Sequence, residues 1–233
     1  MSALRPIASA LARRPEVRPA AILGLLAAAE RLALWKFYAP IEYNDTRAYF
    51  RLADVLSTSN LSGYDGSRVP GYPAFVALLG RDLSAVWAVQ LFFGWGLTML
   101  LFLLTWWTTG RATLALLVGG LYSLIPGLFL FESNLLTETL TSFLVVAAVV
   151  LVVWLDRGVP SSRRGLVLVT AGTAAAAAGL VRALFFVFPF WLLPFVLTSG
   201  SKGWRARVGD GALFLAPGLI LLGGWLGFMR VHY

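Results

Sequence analysis

Seven stretches of this chain are too long and too apolar to lie at a protein–water surface: residues 20–38, 83–107, 112–130, 135–155, 165–180, 184–198 and 211–228. About 20 apolar residues carry a helix across the hydrocarbon core of a bilayer. Backbone groups inside that core must bond within the protein, and continuous apolar runs do this as helices. The pattern predicts an all-α, polytopic bundle of about seven transmembrane spans, with the short fifth and sixth stretches, on either side of Arg182, open as one kinked hairpin or two full crossings. Only 13% of the residues are charged, where a soluble domain carries about 25%.

The charges are sorted by side. Of the 19 Lys and Arg residues, eleven fall in segments 1–19, 108–111, 156–165 and 199–209. In a seven-span chain these four segments share one face, which the positive-inside rule makes cytoplasmic. Residues 1–19 then form a basic cytoplasmic segment, residues 20–233 the membrane module, and the C-terminus faces outward. The formal charge of +8 is a topology signal, because no basic patch interleaved with aromatics marks a nucleic-acid surface. The chain has no cysteine and one histidine, His232. That excludes disulfides, thiolate metal sites and a histidine metal cluster.

The outward loop 39–82 holds the first concentration of polar chemistry. Asp45, Tyr49, Asp54, Asp65 and Arg68 lead into Val69-Pro70-Gly71-Tyr72-Pro73. Apolar spacing over 45–56 predicts an amphipathic helix on the membrane surface. Gly and Pro predict turns over 61–73, and 72–79 reads as a short helix. A second acidic segment, with Glu132 and Glu138, enters span four from the same side. Arg68, Arg182 and Arg230 are expected at that level. A carboxylate there can take a proton from an attacking hydroxyl, and an arginine can receive the charge on a leaving phosphate.

Structural alternatives stand beside each of these. Asp45 can cap the surface helix, and Glu138 can cap span four with Asn134 or Thr137. Arg68 can clamp Asp65 or Asp54. Trp35, Tyr49, Tyr64 and Tyr72 can form an interfacial belt. Glu132, Asp82 and Asp210 read as surface or capping residues. Glu30 and Arg31, inside span one, read as a pair neutralised within the bundle, with Glu30 as a further site candidate. Ala174–178 reads as close helix packing.

The order of these segments carries a resemblance. Asn44-Asp45-Thr46-Arg47-Ala48-Tyr49, Arg68-Val69-Pro70-Gly71-Tyr72-Pro73, Leu135-Leu136-Thr137-Glu138-Thr139-Leu140 and Gly179-Leu180-Val181-Arg182 succeed one another on a consistent topology. The chain thereby resembles the GT-C membrane glycosyltransferases, in the bacterial branch similar to protein O-mannosyltransferases and the aminoarabinose transferase of lipid A. The resemblance implies a multi-pass protein of the bacterial cytoplasmic membrane. It implies transfer, with inversion, of a sugar from a polyprenyl-phosphate carrier to an acceptor at the outer face. Asp45 then corresponds to the catalytic base and Glu138 to a second catalytic carboxylate. Tyr49, Arg68, Tyr72 and Arg182 bind substrate. The family arginine matched by Arg182 is often followed by proline, where this chain has Ala183. A divalent metal is compatible with such chemistry. Family members carry further spans, so three forms are open: a minimal enzyme, an enzyme completed by membrane partner subunits, or a non-catalytic GT-C-like scaffold in a larger complex.

Overall fold

The computed structural model describes residues 16–58, 63, 64, 66–200 and 203–232. Most of the basic N-terminal segment, Asp65 and Lys202 lie outside the described residues. Among the described residues ten α-helices follow in order: α1 Val17–Phe37, α2 Asn44–Ser57, α3 Gly71–Leu78, α4 Leu83–Thr109, α5 Ala112–Leu124, α6 Pro126–Phe129, α7 Glu138–Asp156, α8 Ser161–Val181, α9 Phe188–Thr198 and α10 Trp204–His232. Short 3-10 segments, Leu130–Ser133 and Ala183–Val187, precede α7 and α9. No strand occurs among the described residues. One isolated parallel bridge joins Ile41 to Asn134.

Among the described residues four helices, α4, α7, α8 and α10, are long and apolar enough to cross a membrane. Helix α5 and the segment after it form a fifth, broken candidate bent by 62°. Pro126 explains the break. It lacks an N–H and forces Ile125 into extended backbone, so the helix cannot run through. The other two expected spans fall short of a plain crossing. Helix α1 carries Arg18, Glu30, Arg31 and Lys36 along its 21 residues, and Ala183–Thr198 is apolar but shorter. The surface helix expected at 45–56 and the short helix at 72–79 are present as α2 and α3.

Helix α8 is the spine. Its small residues Ala171, Ala175, Ala176 and Ala178 are fully buried, as expected of the alanine run. A Cβ on Gly172 would collide with the backbone of Phe214 in α10, so only glycine lets these two helices meet at that level. Val167, Leu168 and Ala171 pack with Ala148, Val152 and Leu155 of α7, Val196 of α9 and Phe214. A second core, at the N-terminal end of α4, joins Tyr49 and Ala53 of α2, Tyr72 and Val76 of α3, Trp87 and Leu91 of α4, Leu140 of α7 and Val181 of α8. At the opposite end of the bundle Arg164 is tied to Asp210 at 2.7 Å and to Ser199 at 2.9 Å. Asp210 is therefore a buried partner, where the sequence suggested a surface residue.

Candidate functional site

Two backbone contacts decide where the acidic segments go. The N–H of Ile41 donates to the Ser133 carbonyl at 2.8 Å, and that of Leu135 donates to the Ile41 carbonyl at 3.1 Å. The Thr46 hydroxyl adds a bond to the Leu135 carbonyl at 3.0 Å. Asp45 and Glu138 each lie four residues beyond the bridged pair, so both emerge on the same side of it. Thr46 also performs the capping expected of Asp45. Its hydroxyl accepts from the Tyr43 N–H at 3.0 Å, which leaves the Asp45 carboxylate in the first turn of α2, aimed elsewhere.

That carboxylate meets Arg68 at 2.6 Å. The Arg68 guanidinium lies 5.5 Å from the centre of the Tyr49 ring, a cation–π arrangement. Its loop is held from below by Tyr64, whose hydroxyl donates to the Arg68 carbonyl at 2.9 Å. Tyr64 is thus buried and no part of an interfacial belt. Of the two partners expected for Arg68, Asp54 pairs with Arg81 at 2.9 Å and Asp65 lies outside the described residues. Helix α3 begins where Gly71 touches the end of α8. A Cβ there would stand 2.5 Å from the Leu180 carbonyl, so the Pro-Gly-Tyr-Pro run needs its glycine to bring Arg68 alongside Arg182. Arg182 in turn pairs with Glu138 at 3.2 Å. The second carboxylate oxygen of Glu138 is buried with no hydrogen-bond partner among the described residues.

These groups surround a cleft of about 390 Å³. Asp45, Tyr49, Arg68, Glu138 and Arg182 all line it, together with Thr137, Trp225 and Met229. Five of the six expected site residues therefore come together. The sixth, Tyr72, does not reach the cleft. It is fully buried behind Tyr49, ring centres 4.9 Å apart, and its hydroxyl donates to Gln90 at 2.6 Å. Arg230 is absent from the lining. Burial pushes the Tyr49 phenol upward, a shift that Arg68 partly opposes. Tyr49 therefore keeps its proton at neutral pH and faces the cleft as a hydrogen-bond donor. Burial shifts Tyr72 further in the same direction.

The sequence reading missed Gln90, whose signal is a lone amide within an apolar span. It binds the carbonyls of Glu132 and Asn134 at 3.2 and 2.8 Å, which anchors the second acidic segment to α4. Trp225 and Met229 give no sequence signal, since they lie on an otherwise apolar helix. Glu132 departs most from expectation. It is fully buried and grips Arg31 through two bonds, Nε to Oε2 at 3.0 Å and Nη2 to Oε1 at 2.6 Å. The carboxyl fits there because α4 has glycine at position 94, where any Cβ would overlap it. The internal Glu30–Arg31 pair is present, at 3.0 Å. Asp82 caps α4 as expected, accepting from the Ala85 N–H at 2.9 Å.

No family model, curated protein or solved structure matches this chain. Among the described residues no three His, Cys, Asp or Glu side chains gather as a metal cage. The cleft offers the chemistry of two carboxylates, two guanidinium groups and a phenol.

Proposed function

We propose that the chain is a membrane glycosyltransferase of the GT-C type. In this reading it moves a sugar from a polyprenyl-phosphate carrier to an acceptor at the outer face of the bacterial cytoplasmic membrane. The observation that carries the reading is the convergence of Asp45 and Glu138, distant in sequence, with Arg68 and Arg182 around one cleft. The acceptor hydroxyl attacks the anomeric carbon while the bond from that carbon to the phosphate oxygen breaks on the opposite face, with inversion. Asp45 takes the hydroxyl proton. The polyprenyl phosphate leaves with the bonding pair, and a guanidinium meets its charge through paired hydrogen bonds. Glu138 holds Arg182 for that role, and Tyr49 donates to the sugar or phosphate. The Asp45–Arg68 pair is 50% and 37% exposed, and a pair this wet opens at a cost of about 1 kcal/mol or less. Arg68 can therefore turn to a phosphate and free Asp45 as a base. Seven crossings with the N-terminus inside, counting α1 and Ala183–Thr198, would put the cleft at the outer leaflet.

A direct test uses protein in vesicles supplied with a radiolabelled polyprenyl-phosphate sugar pool and outer-face acceptors. Asp45→Asn abolishes transfer while the protein stays folded. Full activity in that variant rejects Asp45 as the base.

One observation favours a second reading, a non-catalytic subunit that keeps the module as a scaffold. Each cleft carboxylate is already matched by its own arginine, so the cleft is electrically balanced without a substrate. That reading requires partner subunits at fixed stoichiometry after mild detergent extraction. A monodisperse lone chain counts against it.

A further inference from the structure

Between α1 and α5 a groove of about 360 Å³ opens on the outside of the bundle. Ala33, Leu34, Phe37 and Leu124 make it apolar, and Glu30, Ser123 and Tyr38 bring the polar groups to its lining. Its depth follows from Gly94, against which the Glu132 carboxyl lies. Gly94 is about 16 Å from the start of α4 at 1.5 Å per residue, close to the midpoint of that 27-residue helix. Arg31 bridges Glu132 and Glu30, so Glu30 sits at the same level.

The charges there do not balance. Arg31 is one cation for two carboxylates. Its Nε and Nη2 go to Glu132, and its Nη1 is shared between Glu30 at 3.0 Å, Ser123 at 2.5 Å and the Ala27 carbonyl at 3.4 Å. The Ser123 hydroxyl makes a very short bond to the same Glu30 oxygen. No other cation among the described residues pairs with either acid. Arg31 and Glu132 are sealed in, whereas Glu30 is one-third exposed. A carboxylate facing hydrocarbon is strongly unfavourable unless a cation comes to it.

The shape selects the kind of cation carrier. Leu26, Glu30, Ala33 and Phe37 form one stripe along α1, spaced i, i+4, i+7 and i+11, about 16 Å or three helical turns long. Leu124 of α5 lines the groove opposite it, and exposed Leu117 and Leu121 continue that face of α5. Gly120, one turn below Ser123 and Leu124, has nothing within reach of a Cβ. Small residues beside a long trough let another helix backbone come close. We propose that this groove receives a membrane-spanning helix of a partner protein, with one Lys or Arg at mid-depth that pairs with Glu30. The interface is independent of the cleft and of the sugar-transfer reading.

The test exploits the absence of cysteine. Ser162→Cys, exposed at the start of α8 and away from the groove, takes a fluorescent acceptor on protein reconstituted in phosphatidylcholine vesicles. The probes are donor-labelled helical peptides of about 20 Leu and Ala residues with one central Lys or, as control, one central Leu. The Lys peptide binds the otherwise unaltered protein about ten-fold more tightly than the Leu peptide, as one interhelical polar contact in a membrane allows. Glu30→Gln removes the preference, leaves Leu-peptide binding unchanged, and Glu42→Gln has no effect. Equal binding of both peptides overturns the proposal, as does a Lys preference that survives Glu30→Gln. Self-association that displaces the peptides assigns the groove to a second copy and also overturns it. Glu30-dependent binding of dodecylamine without Lys-peptide binding overturns the helix as occupant.

Discussion

The molecule holds its arginine–carboxylate pairs in two settings. At the cleft, Asp45–Arg68 closes to 2.6 Å, and in the bundle Arg31–Glu132 closes to the same 2.6 Å. Bond length does not distinguish them, but burial does. The cleft pair is bathed in solvent, whereas Arg31 is 5% exposed and Glu132 not at all. In water a guanidinium can leave one carboxylate for another anion at little cost. In a dry interior the same exchange strands a charge, so the pair behaves as a fixed joint. The inner joint holds the segment that leads to Glu138, and the outer pairs stay free to exchange partners at the end of that segment.

The largest effect should come from breaking the joint. Arg31→Met leaves two carboxylates without a cation, one of them fully enclosed. We expect a loss of about 3–5 kcal/mol, read as a shift in the midpoint of denaturation in mixed micelles. Replacing Glu132 by Leu in the same chain should recover part of that loss, because two buried apolar groups do better than one orphaned charge. If the double variant is as unstable as Arg31→Met, charge stranding is not the cause and the contrast with the cleft fails.

A smaller effect tests the fit of the joint without touching its charges. Gly94→Ala places a methyl group where the Glu132 carboxyl lies. Overpacking of this kind typically costs about 1–3 kcal/mol. Gly218, in α10, offers a matched control, since a Cβ there meets only the Ala176 methyl at 3.9 Å. Gly218→Ala should therefore be neutral or slightly stabilising, because alanine favours a helix interior. Equal stability of the two variants would mean that the Glu132 segment simply moves aside.

These residues also mark what could be read from the chain. The surface helix, the short helix after the Pro-Gly-Tyr-Pro run and the alanine packing stripe were legible, because periodicity and turn chemistry are local. The shared cleft of Asp45, Tyr49, Arg68, Glu138 and Arg182 was legible because the spans alternate in direction. Glu132 was not, for its burial depends on a proline break at 126, a glycine on α4 and an arginine on α1, three signals far apart in sequence. Tyr72 was placed in the site by its motif. Its side chain in fact points back to Gln90, and a sequence cannot show which way a loop tyrosine turns. Helix α1 lacks the plain signature of a crossing because it carries Arg18, Glu30, Arg31 and Lys36, and the partner that buries Arg31 is Glu132, which no hydropathy window contains.

Tyr72 and Gln90 lie between the two settings and should show an intermediate response. Tyr72→Phe removes the donor to the buried Gln90 oxygen, so an acceptor is left without a partner. The expected cost is about 1–2 kcal/mol, with faster exchange of the Gln90 side-chain amide protons that it donates to the Glu132 and Asn134 carbonyls. An unchanged exchange rate would mean that Gln90 holds the acidic segment without help from the tyrosine.

The smallest stability effect belongs to Asp45→Asn, and its smallness is the condition for reading the transfer experiment. The amide keeps the size of the side chain and an acceptor oxygen toward Arg68, and loses only the charge. For a half-exposed pair that loss should be under about 1 kcal/mol, and added salt should shrink it further by screening. The same denaturation midpoint in low and high salt then measures how much of the pair is electrostatic. If Asp45→Asn is nearly as stable as the parent chain and still inactive, the defect lies in proton acceptance. If it loses several kcal/mol, Asp45 is a clamp for the Arg68 loop, as rigid as the joint at Arg31. A lost activity would then report a displaced loop and carry no information about a base. Arg68→Ala separates the two cases, since a clamp collapses from either end, whereas a base survives the loss of its resting partner and keeps its shape.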